Sequence, residues 1–138
     1  MAITSALCTS YKLQVLSGIH LAADTYKIAL YTSSATMDAS TTAYSATNEV
    51  SGTGYSAGGA TLSGFATSSS GTTTWLDFND PSWAASTITA RGCLIYNSTQ
   101  ANKAVAVYDF GADKTSTAGT FTVVLPTADA SNALIRLV

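Results

Sequence analysis

The only histidine of the sequence, His20, is the first residue to consider for chemistry. One histidine cannot build a metal site of several imidazoles, and a His-bearing catalytic triad would need His20 itself as the base. Its neighbours Ile19 and Leu21 are apolar, which favours a packed or loop histidine. The sequence therefore predicts no histidine-based metal centre and no triad.

Two pairs of carboxylates stand close together along the chain. Asp77 and Asp80 precede a proline, and Asp109 and Asp113 lie on either side of a glycine. Paired carboxylates could serve general acid–base catalysis or bind Ca²⁺. Short acidic side chains at strand ends also form Asx turns, and this interpretation is favoured for both pairs.

Two short motifs resemble functional signatures but lack the required context. Residues 52–55 (GTGY) are rich in glycine, yet no Lys-Ser/Thr ending and no helical pattern follows, as a phosphate-binding loop requires. Residues 97–99 (NST) match a glycosylation sequon, but without a secretory signal they indicate only a turn. No cofactor is predicted, and an enzyme is the weakest hypothesis.

The two cysteines, Cys8 and Cys93, are far apart and form no CxxC motif. Neither their number nor their spacing suggests a disulfide framework or a metal site. Both are predicted to be buried, unlinked thiols.

The amino-acid composition argues against nucleic acid as a partner and favours another protein. Charged residues make up 10% of the chain, against roughly a quarter in an average soluble domain. The six cations are scattered, so no basic patch predicts nucleic-acid binding. A surface of Ser, Thr and Asn with so little charge suggests that much of it lies against other protein.

The sequence predicts no membrane partner. No run approaches the roughly 20 apolar residues of a membrane helix, and the first residues do not read as a signal peptide. The expectation is that the protein stays in the cytoplasm of the cell that makes it.

Residues 86–111 predict the central hairpin of the fold. Ile88, Leu94 and Tyr96 occupy one face of the first strand, and Cys93 and Ile95 make the other face apolar too. A strand that is apolar on both faces is expected to be covered on both sides. A polar turn at residues 97–102 leads into the second strand, residues 103–110.

The remaining elements follow from periodicity and turn residues. A helix is predicted over about residues 5–17, capped by Thr4 or Ser5 and ended by Gly18. Further strands are predicted at residues 25–32, 60–67, 72–78, 120–125 and 133–138. Turns are predicted at residues 68–71 and 113–119, and Trp83 is assigned to a loop.

Residues 33–59 predict a long polar loop. A loop of this length inside one domain usually has a function, although a short helical turn near residues 45–50 would shorten it. Tyr44 and Tyr55 are its candidate protein-contact residues, because tyrosine offers apolar area and a hydroxyl at small entropic cost. The alternative, that they only pin the loop to the body of the protein, stays open.

These elements predict one domain over residues 1–138. The expected fold is all-β, a sandwich of about seven to eight strands with one short N-terminal helix. A jelly-roll-like arrangement is favoured over an immunoglobulin-like one, because the latter would need Cys8 on a strand.

Several phrases spread over nearly the whole chain carry a family resemblance: DTYKIALYTSSATMDASTTAY, EVSGTGYSAGGATL, ARGCLIYN, KAVAVYDFG and ASNALIRLV. In these phrases the sequence resembles the small capsid cement (decoration) proteins of tailed bacteriophages, those of short-tailed Bordetella phages among them. The resemblance implies a jelly roll on the outer surface of a capsid of the HK97 type, paired with a second copy. It carries over no catalytic or contact residue.

The resemblance implies a virion protein that binds the major capsid protein and stabilises the contacts between capsomers. A homodimer is expected, with a trimer as the alternative. Two other functions stay open, a structural part of the neck, tail or fibre base, and a carbohydrate-binding β-sandwich. The last would present Trp75, Trp83, Tyr44 or Tyr55 as an exposed row on one sheet face.

Overall fold

A computed structural model of the chain describes residues 2–138, which form eight strands and one helix. The elements in chain order are β1 (Ala6–Leu7), α1 (Thr9–Leu16), β2 (Tyr26–Tyr31), β3 (Ala60–Thr61), β4 (Ala66–Ser70), β5 (Thr73–Asp77), β6 (Ser82–Asn97), β7 (Lys103–Thr122) and β8 (Ile135–Leu137). The predicted all-β class with a single short helix is confirmed.

The strands form two antiparallel sheets. The larger has the order β1-β7-β6-β2-β3, and the smaller has the order β4-β5-β8. Aromatic contacts join the two, since the ring of Tyr26 on β2 lies 5.7 Å from that of Phe65 and 5.4 Å from that of Phe78. The Tyr108 hydroxyl on β7 also donates to the carbonyl oxygen of Leu134, at 2.6 Å.

The second half of β6 is the centre of the larger sheet. It pairs with β2 on one side and with β7 on the other, with Leu94 opposite both Ala29 and Val107. Both faces of this region are buried, as the side chains of Leu94 and Ile95 show. The predicted central hairpin is confirmed here, and its turn falls within residues 98–102.

The hairpin is longer than the sequence predicts. Trp83, assigned to a loop, lies in β6 and is buried, and the predicted turn at residues 113–119 lies inside β7. Both predictions are wrong because the turn-forming residues lie at irregular positions within the paired strands and do not end them. The register shifts at four places between β6 and β7, and Ala85 and Ala118 adopt positive φ angles of 48° and 45°.

The helix begins later than the sequence predicts. Ala6 and Leu7 pair with β7, so α1 starts at Thr9 and Cys8 occupies the N-cap position without a side-chain hydrogen bond. The proposed cap Ser5 instead accepts a hydrogen bond from the Asp109 N–H, at 2.8 Å. The other end is as predicted: Gly18, at φ 76°, donates its N–H to the carbonyl oxygen of Val15.

The strand predicted over residues 60–67 is divided at Gly64. This glycine has φ 71°, and a side chain there would overlap that of Asn79. The residues before it form β3 of the larger sheet and those after it form β4 of the smaller sheet. Because β4 continues to Ser70, the predicted turn at residues 68–71 is also displaced toward β5.

Replacing Leu94 with alanine should lower the free energy of unfolding by about 2 to 5 kcal/mol. Leu94 is 1% exposed, so the shorter side chain leaves a cavity in the hydrophobic core. Chemical denaturation measures the loss, and Leu13→Ala is the matched control. Leu13 is 68% exposed, and its truncation should change stability by less than about 0.5 kcal/mol. Equal effects of the two substitutions would show that β6 is not central.

Candidate functional site

The long polar loop, residues 33–59, contains no helix and no strand of the two sheets. Isolated bridges nevertheless fix it to the larger sheet, where Glu49 pairs with Tyr31, Ala43 with Lys103, and Thr53 with Thr87. The helical turn predicted near residues 45–50 is a single reverse turn, closed by the Glu49 N–H donating to Ala46. The loop therefore has a defined path along the sheet.

The Glu49 carboxylate fixes the middle of this loop. Its Oε1 accepts a hydrogen bond from the Tyr44 hydroxyl at 2.6 Å. Its Oε2 accepts from the Tyr55 hydroxyl at 2.5 Å and from the Gly58 N–H at 2.8 Å. Hydrogen bonds to a charged acceptor are stronger than those between neutral groups. One carboxylate thus joins three points of the loop that lie up to nine residues from it.

Two tyrosines of the sheet join the same cluster. The Tyr31 hydroxyl donates to the carbonyl oxygen of Ser45 at 2.6 Å, and the Tyr96 hydroxyl donates to that of Gly58 at 2.7 Å. The Tyr96 ring also stacks on the ring of Tyr44, with centroids 4.7 Å apart. We call Tyr31, Tyr44, Glu49, Tyr55 and Tyr96 the tyrosine–glutamate cluster.

Glycines let the loop backbone approach the sheet closely. At Gly59, with φ 78°, a side chain would overlap the carbonyl group of Ile28. At Gly54, with φ 84°, it would overlap Ser86 on β6. The glycines of the GTGY motif are therefore used for contact with the sheet.

The predicted contact residues Tyr44 and Tyr55 are half-buried, and both hydroxyls are occupied within the tyrosine–glutamate cluster. The Tyr55 hydroxyl also accepts a hydrogen bond from the Leu30 N–H, at 2.9 Å. The structure thus shows the pinning role that the sequence left open. A role of either side chain in binding another protein stays a prediction.

The aromatic side chains do not form an exposed row. Trp83 is buried and packs against Tyr55 and Phe121, while Tyr44 stacks on Tyr96. Trp75 is half-buried on β5, in the other sheet. The flat aromatic platform expected of the carbohydrate-binding alternative is not formed by these four side chains.

His20 lies in a hydrogen-bond network that occupies both ring nitrogens. Its Nδ1 accepts from the Asn97 amide at 3.1 Å, and its Nε2 donates to the Gln14 side-chain oxygen at 2.8 Å. The same Asn97 amide donates to Asp24 at 2.9 Å. Burial lowers the pKa of His20, against the opposing effect of Asp24. The imidazole is therefore half-buried and hydrogen-bonded at both nitrogens, in agreement with the predicted packed or loop histidine, and the sequon residue Asn97 is fully buried.

The four aspartates of the two predicted pairs lie in separate surroundings. Asp77 is half-buried at the end of β5, and its buried Oδ1 has no hydrogen-bond partner among the described residues. Asp80 accepts a hydrogen bond at 2.9 Å from the N–H of Leu125, a residue 45 positions away, in place of the predicted Asx turn, and Asp113 is exposed. Asp109 accepts from the Gly111 N–H at 2.9 Å, an Asx turn, and from Arg91 at 3.1 Å. The Gly111 bond is the main cause that lowers the pKa of Asp109. Neither pair converges on a common point.

Cys8 and Cys93 are buried free thiols, as predicted. Burial raises the pKa of Cys8 to about 11 and that of Cys93 to about 12, so both remain protonated and poorly nucleophilic near neutral pH. Over residues 2–138, no group of three or more His, Cys, Asp or Glu side chains could hold a metal ion.

No helix over the same residues is long and apolar enough to cross a membrane. Comparison with protein-family models, with curated proteins and with solved structures finds no match.

Sequence reasoning missed Glu49 as the centre of the loop. The available signal was its isolation, because Asp38 and Glu49 are the only charged residues in residues 33–59 and Glu49 lies between Tyr44 and Tyr55. That pattern draws attention to Glu49, but it does not show which donors bind its carboxylate.

Replacing Glu49 with alanine should destabilise the protein by about 2 to 4 kcal/mol, because three donors lose a charged acceptor. Denaturant unfolding gives the value, and proteolysis within residues 33–59 should become faster. Asp113→Ala is the matched control, since it also removes one negative charge but from an exposed side chain. A loop as resistant in Glu49→Ala as in Asp113→Ala would show that the cluster does not hold it.

The tyrosines should make the fold sensitive to alkali. Burial is the first cause that raises the pKa of all seven, and that of Tyr44 reaches about 12. A raised folded-state pKa gives stability that is complete below the unfolded value, near 10, and is lost as the pH rises toward the folded value. We expect stability to fall from about pH 10 upward. Phenolate absorbance should then appear together with unfolding, and a noncooperative titration of folded protein near pH 10 would contradict this.

Proposed function

We propose that this chain is a structural virion protein that binds the outside of an assembled phage capsid and stabilises the contacts between capsomers. Its partner in this proposal is the major capsid protein. A jelly-roll arrangement of the sandwich belongs to the same proposal, supported by eight strands in two antiparallel sheets.

The observation that carries the proposal is the nearly uncharged, hydroxyl-rich surface of the β6–β7 hairpin in the half that lies away from its turn, residues 82–90 and 113–122. Its exposed threonines are Thr87, Thr89, Thr115, Thr117, Thr120 and Thr122. Only Asp113 and Lys114, at one end, are exposed and charged in this region. Covering such a surface costs less desolvation than covering charges, and the centres of protein interfaces are depleted of charge.

The use of polar groups elsewhere supports the same function. The tyrosine–glutamate cluster and the His20 network are engaged in holding the chain's own loops. Neither presents an open nucleophile or acid–base pair. A low-charge surface suits a protein whose task is binding to other protein. The resemblance of the quoted sequence segments to phage capsid cement proteins supports this kind of protein.

Stabilisation would follow from linkage. A protein that binds the assembled lattice but not its separated subunits adds free energy to the assembled state, even when each contact is weak. Association of two copies is part of the proposal, because a two-fold position between capsomers suits an isologous pair.

Capsids made without this protein should assemble with normal geometry but release their genome at a lower temperature. Adding the purified protein back should restore the release temperature. Thr89→Lys should bind the shell less well, because it places a charge in the hydroxyl-rich surface. Ser69→Lys, an exposed change on β4, is the control and should restore the temperature as the unchanged protein does.

Copy number separates the cement function from a neck, tail or fibre-base function. A cement protein should be present on the order of hundreds of copies, comparable with the major capsid subunit, and a neck or tail part in about a dozen or fewer. Quantitative mass spectrometry of purified virions measures this ratio. The smaller number would reject the cement proposal in favour of the neck or tail.

A further inference from the structure

An apolar groove lies between α1 and the smaller sheet, with a volume of about 420 Å³. The helix side is formed by Tyr11, Val15 and Leu16, and the sheet side by Trp75, Leu76 and Leu137. A volume of this size lies within the range of binding pockets in proteins, roughly 300 to 1,000 Å³.

The apolar surface continues beyond the groove onto its rim. Leu16 and Leu137 line the groove yet are 87% and 57% exposed, and Leu13, one helical turn from Leu16, is 68% exposed. These are three of the six large apolar side chains that are exposed in residues 2–138. A small molecule inside the groove would leave this rim in water, so the rim favours a polypeptide occupant.

The charge at the groove is positive and unpaired. Lys12 is the one lysine or arginine in its lining, which contains no carboxylate, and His20, hydrogen-bonded to Gln14 and Asn97, also lines the groove. Over the described residues the single ion pair is Arg91–Asp109, so Lys12 has no acidic partner among them. An occupant with a carboxylate beside its apolar groups would complement this arrangement.

We propose that this groove binds a segment of another protein that inserts apolar side chains between α1 and β5 and places a carboxylate beside Lys12. A second copy of α1 does not fit this chemistry. Its sequence, TSYKLQVL, offers apolar side chains but no acid, so a two-fold contact through the helices would bring two Lys12 ammonium groups together. The inference adds a second contact surface to the proposed function and does not depend on where the protein sits in a virion.

The test begins with random displayed peptides of about twelve residues, which reach roughly 40 Å when extended. They are selected on the immobilised full chain, and an enriched peptide is then synthesised. Enriched sequences should combine large apolar residues with Asp or Glu. Binding should change the fluorescence of Trp75, which lines the groove, and Trp75→Phe should remove that change.

Surface variants then locate the binding site. Leu16→Glu should weaken binding of the synthetic peptide by about tenfold or more, because it places a charge on the apolar rim. Lys12→Glu should weaken it too, and exchanging the peptide's acid for lysine should restore binding to that variant. Val124→Glu is the matched control, since Val124 is 77% exposed and does not line this groove. Circular dichroism should show all three variants folded.

Three results would overturn the proposal. The first is no enrichment, or enrichment of peptides that lack an acid. The second is unchanged binding to Leu16→Glu. The third is a dimer, seen by sedimentation, that Leu16→Glu abolishes and Val124→Glu does not, which would assign the groove to a second copy of this chain.

Discussion

The pairing of β6 with β2 and β7 is the constraint on which the rest of the structure depends. It buries both faces of the strand that carries Leu94 and Ile95, and it fixes the register of its neighbours. Residues of β6 also hold segments that are distant in sequence. Gly54 of the long loop packs closely against Ser86, the Tyr96 hydroxyl binds the Gly58 carbonyl oxygen, and the Asn97 amide binds His20. Without this register, the long loop and the segment after α1 would lose their attachment points.

With few charges available, the protein concentrates its strongest polar contacts at a few places. Glu49 holds the long loop through two tyrosine hydroxyls and a backbone N–H. Around Asn97, one buried amide joins His20 and Asp24. Such partly buried contacts are less sensitive to salt than exposed ion pairs. The exposed part of the β6–β7 hairpin, by contrast, carries mostly hydroxyl groups, with Asp113 and Lys114 as its exposed charges.

The sequence was sufficient for some of the elements that depend on neighbours along the chain, although the turn predicted at residues 113–119 lies inside β7. The central hairpin follows from apolar residues on both faces of residues 88–96, and the helix end follows from Gly18. The helix start did not follow, because Ala6 and Leu7 pair with β7 about 100 residues later.

The candidate site was predicted only in part, for the same reason. Tyr44 and Tyr55 stood out in a polar loop, but their common partner Glu49 is defined only when the loop folds back on the sheet. The groove beside α1 was not predicted at all. It depends on how the helix lies against the smaller sheet. The periodicity of apolar residues within one element does not predict its position relative to another.

The irregular pairing within the long hairpin affects how readily the open edge of β7 can pair with a strand of another molecule. Between Lys114 and Thr122, β7 has β6 on one side and, within residues 2–138, no further strand on the other. A regular open edge of this length would be a template for edge-to-edge polymerisation. The register shifts and the left-handed backbone at Ala118 interrupt the row of hydrogen-bonding groups that such growth requires. The same irregularities that obscured the strand in the sequence therefore make this edge a poorer template for an added strand.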